Sequence, residues 1–171
     1  ARYLGDEAIA AARRGAPWPE APSLPASSQE RELRRELCDF VGRGCRQRLL
    51  ISTEGSFSAR LGDGEFLITP SGRDRYALRP GDIVVVRGGA CEAGKVPSRA
   101  AGAHAAIYGA RPDVRAIAFA HPVNATAFSV SESPLDARTI PESYILLRDV
   151  ARLPFGLPYG DVGALAAQVS M

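Results

Sequence analysis

Apolar residues fall at helical spacing after residue 28, where Leu33, Leu37, Phe40 and Val41 share one face and Arg31, Arg34, Arg35 and Glu36 lie on the other. Ser27-Ser28-Gln29-Glu30 just ahead has the spacing of a capping box. A helix from about 28 to 48 is predicted, its arginines forming a solvated surface. The period then drops to two. Phe57 to Leu61 alternates as a strand, Asp63-Gly64 makes a hairpin turn, and Glu65 to Thr69 is the returning strand. Ile83 to Arg87 is β-branched enough to be a third strand, entered from Arg79-Pro80-Gly81-Asp82 and ended by Gly88-Gly89. Lys95-Val96-Pro97-Ser98 opens an alanine-rich helix reaching about Gly109, with Ser98 as its N-cap. Val114 to Ala120 is the next apolar strand, ended by Pro122; Asn124 to Val130 is a short helix, and Tyr144 to Arg148 and Leu153 to Phe155 are weaker later elements.

Arg2 to Arg14 has the composition of a short helix, but Pro17, Pro19, Pro22 and Pro25 hold the chain around Trp18 in an extended or turn-like path. Residues 1–26 are therefore read as an arm or linker and 27–171 as the domain. The order helix, strands, helix, strand, helix, strands predicts an α+β layered fold with a mainly antiparallel sheet.

Composition narrows the function classes. The 171 residues suffice for one domain that needs no disulfide staple. With 21 Lys+Arg against 19 Asp+Glu, and no basic run interleaved with aromatics, nucleic acid is not an expected partner. No apolar window reaches bilayer length and the first residues lack a signal-peptide core, so the expectation is a cytoplasmic enzyme or binding domain without membrane contact. Cys38, Cys45 and Cys91 show no CxxC spacing and read as reduced packing residues.

Candidate chemistry sits in three turns of small residues: Ser52-Thr53-Glu54-Gly55-Ser56-Phe57-Ser58, Thr69-Pro70-Ser71-Gly72 and Lys95-Val96-Pro97-Ser98-Arg99. Such turns can bring backbone N–H groups and hydroxyls to one anion without bulk in the way. Singly each is an ordinary turn; three in one domain suggest a phosphate or carboxylate pocket. Arg99, beside a helix start, is either a surface arginine or a second positive group for that anion. His104 lies mid-helix and reads as a packed, hydrogen-bonded histidine. His121, at the end of a buried strand, is a candidate general acid or base, or a metal ligand. Glu142 and Tyr144 follow Arg138-Thr139-Ile140-Pro141 in a polar turn that is either structural or able to close over a pocket. The two histidines are not spaced as a zinc motif.

Gly55-Ser56-Phe57-Ser58, Leu67-Ile68-Thr69-Pro70-Ser71-Gly72, Gly94-Lys95-Val96-Pro97-Ser98 and Ala120-His121-Pro122 come in an order and spacing that resembles the class II aldolase/adducin family, over about residues 30 to 160. The resemblance implies a three-layer α/β/α fold around a mostly antiparallel sheet and homotetramers with sites between subunits. It also implies a sugar-phosphate substrate, its phosphate held at positions matching Gly55-Ser56, Ser71-Gly72 and Ser98-Arg99. The chain departs from the pattern in three places. Ala100 stands where the family has its catalytic glutamate, Phe119-Ala120-His121 stands where it has an HxH zinc pair, and a later His-Gly segment with the third ligand is not within 1–171. The expectation is thus a divergent member that binds a small anionic metabolite, with lyase chemistry altered or lost, or else an adducin-like interaction module. No cofactor is expected, zinc being held through His121 only if other ligands are supplied. His121, Glu142 and Tyr144 are the catalytic candidates, and a homo-oligomer is the expected assembly.

Overall fold

The structure, a computed structural model, describes residues 18–133, 135–147, 150–153, 165 and 168. Helix α1 spans Ser28–Arg46, and its first turn is closed by the Ser27 hydroxyl, which accepts from the Glu30 N–H at 3.0 Å. The strands are β1 (Glu20–Ala21), β2 (Ser56–Gly62), β3 (Glu65–Ile68), β4 (Val84–Arg87), β5 (Ala90–Glu92) and β6 (Ala116–Phe119). They form one sheet in the order β1-β5-β4-β3-β2-β6, antiparallel except for the β1–β5 pair. The remaining helices are α2 (Ala101–Ala110), α3 (Val123–Ser129) and α4 (Pro141–Leu147).

Pleating sends alternate residues of the central strands to opposite faces. Leu67, Val85 and the adjoining Ile83 pack with Leu37 of α1 on one side. Phe66, Ile68, Val84 and Val86 pack with Ala101 and Tyr108 of α2 on the other. Helices therefore cover both faces, giving the three α/β/α layers. Double coverage also explains the unbroken Ile83-Val84-Val85-Val86 run, since neither face of β4 meets water.

Several elements differ from the sequence expectation. The pair Gly88-Gly89, both at positive φ, turns the chain into β5 rather than simply ending β4. The proline-rich stretch supplies β1, which pairs with β5, and Trp18 packs against the core. Helix α2 begins at Ala101, not Ser98, with Ala100 at its N-cap position and no side-chain cap. Tyr144 lies in helix α4, which starts at Pro141, where the missing proline N–H costs nothing. Leu153 is irregular, and the Arg2–Arg14 and 154–155 expectations lie outside the described residues.

The arginine face of α1 is not wholly solvated. Arg34 is buried and pairs with the buried Glu30 at 2.8 Å and with Glu92 at 2.9 Å, while Arg87 reaches the other Glu30 oxygen at 2.7 Å. Losing either partner would strand an uncompensated buried charge, so this cluster fixes the register of α1 on the sheet. All three thiols are free, and burial pushes the Cys38 thiol up to about 11. Among the described residues no helix is long and apolar enough to cross a membrane.

Candidate functional site

The three polar turns converge on one cavity of about 330 Å³, beside the C-terminal end of β6. Gly55, Ser56, Ser71, Gly72, Ser98 and Arg99 all line it. Backbone pairing brings two of the turns together: Ser98 N–H donates to Thr69 O at 3.0 Å, and Ser71 N–H donates to Val96 O at 2.9 Å. Gly55 is required where it stands, at φ +79°; a Cβ there would sit 2.3 Å from a Leu50 methyl and 2.8 Å from the Phe119 carbonyl oxygen. Gly72, at φ +66°, has open space where a Cβ would point.

Arg75, which the sequence reading passed over, clips the first two turns to each other. Its Nε and Nη2 donate to Gly55 O at 3.1 and 2.8 Å, and its Nη1 donates to Pro70 O at 2.9 Å and Arg73 O at 3.0 Å. The side chain is almost wholly buried yet also borders the cavity. Burial pulls the guanidinium below its ordinary value, opposed by the nearby carboxylates of Glu54 and Asp74. An arginine stays charged in proteins regardless, so a fixed positive charge stands behind the turns. In sequence, Arg73-Asp74-Arg75 looks like a charged surface loop. Its one usable signal is Asp74, whose side chain caps the short 3₁₀ turn Arg75–Ala77 and aims Arg75 inward.

At the mouth, Arg99 Nη2 lies 3.9 Å from a carboxylate oxygen of Glu54, and both border the cavity. Ala100 lines it as well. Ser98, freed from the N-cap role, accepts weakly from the Ala100 N–H at 3.4 Å.

Beneath Ser56 lies His104, fully buried and tilted against the Phe119 ring at 4.4 Å between centroids. Its Nε2 is 2.9 Å from Ser56 Oγ and its Nδ1 is 2.6 Å from Ser58 Oγ, which in turn is 2.8 Å from Tyr108 Oη. Burial lowers the imidazole to about 3, so it is neutral at physiological pH. The packed histidine expected from sequence is thus one bond away from the cavity surface.

The other candidates lie elsewhere. His121 is exposed and anchored through its backbone N–H, which donates to Leu49 O at 3.0 Å. Glu142 and Tyr144 sit on α4, Tyr144 with 53% of its surface exposed. None of the three borders the cavity within this single chain. Among the described residues no group of three His, Cys, Asp or Glu side chains could hold a metal ion. Those residues alone do not fit a catalytic zinc site, which takes three protein ligands.

A family model for the class II aldolase and adducin N-terminal domain matches residues 35–167. A methylthioribulose-1-phosphate dehydratase of Methylococcus capsulatus is 40% identical over 101 residues, covering 58% of this chain and 48% of the relative. An L-fuculose phosphate aldolase of Escherichia coli is 36% identical over 110 residues, covering 64% and 51%. The chain spans about half the length of these curated relatives. An L-fuculose-1-phosphate aldolase structure from Thermus thermophilus superposes with a TM-score of 0.61 at 30% identity, over 80% of this chain and 71% of that one. The match corrects one expectation. The family is one that implies zinc, so the expectation that no cofactor is needed does not stand. With the family model spanning most of the sequence and the same three-layer fold in the solved relative, this chain belongs to the class II aldolase and adducin N-terminal domain family.

Proposed function

We propose that this domain binds the phosphate of a small phosphorylated sugar, or of a related metabolite, in the cavity formed by its three small-residue turns. The observation that carries the reading is that Gly55, Ser56, Ser71, Gly72, Ser98 and Arg99 border a single space backed by the buried Arg75 guanidinium. Backbone amides and hydroxyls at close-approach turns, with two guanidinium groups, suit a phosphate dianion better than a neutral ligand. The names of the aligned relatives, a methylthioribulose-1-phosphate dehydratase and an L-fuculose phosphate aldolase, agree with that substrate class.

The reaction in this proposal is of the carbon–carbon lyase type or a related epimerisation or dehydration, in a divergent form. Ala100 borders the cavity where the family resemblance puts a carboxylate, and Glu54 is a carboxylate that does border it. His121, Glu142 and Tyr144 are kept as acid/base candidates in a homo-oligomer whose sites lie between subunits. The alternative is an adducin-like assembly module. It is favoured by the apolar surface around α3 and α4, where Val130 and Leu146 are 82% and 80% exposed.

Calorimetric titration with a panel of sugar phosphates separates the two. A charge-assisted contact contributes about 1.5–3 kcal/mol, so Arg99→Ala should weaken binding by roughly ten- to a hundred-fold with an unchanged thermal melt. Wild-type protein that binds none of the panel, or a variant that binds equally well, would hand the reading to the assembly module.

A further inference from the structure

We propose that His104 is a positioning residue for the cavity: its Nε2–H, held by the Ser58–Tyr108 hydroxyl pair behind it, donates to Ser56 Oγ and so commits the Ser56 hydroxyl proton to a bound anion. The inference rests on the phosphate reading of the cavity and adds the group that gives Ser56 its polarity.

The chain Tyr108 Oη, Ser58 Oγ, His104 Nδ1, His104 Nε2, Ser56 Oγ is continuous at 2.8, 2.6 and 2.9 Å across its three contacts. Ser56, Ser58, His104 and Tyr108 are all buried, and Ser56 also borders the cavity. A neutral imidazole carries one N–H, and letting the Ser58 hydroxyl proton take part in the chain leaves two arrangements. In the first, Tyr108 donates to Ser58, Ser58 donates to Nδ1, Nε2–H donates to Ser56 Oγ, and the Ser56 O–H is left to point into the cavity. In the second, every bond is reversed: Ser56 donates to Nε2, Nδ1–H donates to Ser58, and Ser58 donates to Tyr108. Ser56 then offers the cavity lone pairs only.

The two arrangements have equal numbers of hydrogen bonds within the chain, so what occupies the cavity decides between them. An anion is stabilised by a hydroxyl donor and opposed by lone pairs, and in a buried setting that difference is not screened by water. The first arrangement is therefore the anion-bound one. Burial keeps the imidazole neutral, so Nδ1 can accept from Ser58 while Nε2–H donates to Ser56.

The test is two-bond ¹H–¹⁵N correlation spectroscopy of the histidine rings in ¹⁵N-labelled protein, titrated with inorganic phosphate, alongside calorimetry of wild type, His104→Phe and His104→Gln. At saturation the His104 ring should show protonated Nε2 and unprotonated Nδ1. His104→Phe keeps the ring volume but removes the donor. It should lose about tenfold in phosphate affinity, the upper range for one hydrogen bond, and His104→Gln, whose amide N–H can reach Ser56, should recover part of it. A merely structural histidine would show no tautomer preference set by phosphate and no rescue by glutamine. Saturated protein with a protonated Nδ1 overturns the inference while leaving the phosphate site standing. Wild type that binds no phosphate overturns both. Should His104→Phe fail to fold, the tautomer measurement on wild type decides alone.

Discussion

Acid should weaken this domain through His104 before its carboxylates dominate. The imidazole sits at an ordinary value of 6.5 in an unfolded chain and at about 3 in the folded one, because burial penalises its charged form. Between those values the unfolded chain binds a proton that the folded one refuses, so stability is full above the unfolded value and falls as the pH drops towards the folded one. At pH 5 the unfolded histidine is almost wholly protonated and the folded one is not. A gap of 1.5 pH units below 6.5 then corresponds to about 2 kcal/mol lost relative to pH 8. That figure hardly depends on the folded value so long as it lies below about 4. Against a typical total of about 5–15 kcal/mol, the loss is large, and for a domain of this size it lowers Tm by roughly 4–8 °C. The assay is urea denaturation of wild type and His104→Gln at pH 8 and pH 5. Carboxylates titrate in both proteins, so the difference between their pH dependences isolates the histidine. Equal pH dependence in the two proteins, or a His104 ring signal that titrates near 6.5 in the folded state, would refute the reasoning.

Two further outcomes are expected. Arg75→Met should destabilise the fold by about 3 kcal/mol, since buried carbonyls of Gly55 and Pro70 lose their donor. Arg75→Lys should not restore it, because a point ammonium cannot span both turns as the planar fork does; full stability of either variant by denaturant titration would show that the turns hold without the clip. The apolar surface carrying Val130, Ile145 and Leu146 should be covered in an oligomer, seen by sedimentation velocity as a species larger than the 18.1 kDa chain at micromolar concentration. A stable monomer there would remove the assembly argument.

What the sequence determined by itself are the features that local chemistry decides. The helix Ser28–Arg46 could be read because its apolar period and Ser27 cap lie within one short stretch, and the β2–β3 hairpin because Asp63-Gly64 admits few other conformations. The three turns were legible as candidates for the same reason: glycine and serine there advertise close approach. That all six turn residues border one cavity was decided only in three dimensions, by the Thr69–Ser98 pairing and by Arg75 reaching back across twenty residues to Gly55. Apart from the Asp74 cap, Arg75 looks in sequence like the exposed Arg73 two positions earlier, and Arg34 of the ion cluster is set apart from the exposed Arg35 beside it only by its helical spacing to Leu37 and Val41. The edge strand β1 and its neighbour β5 were likewise invisible, being too short to carry a period, and β1 finds its partner only across about seventy residues of chain. His104 shows the division most sharply. Its burial followed from its place in an alanine-rich helix, but its two hydroxyl partners come from β2, and alternation along that strand turns both Ser56 and Ser58 towards the same face. Only the packing of α2 on that face turns a buried histidine into one joined to the cavity.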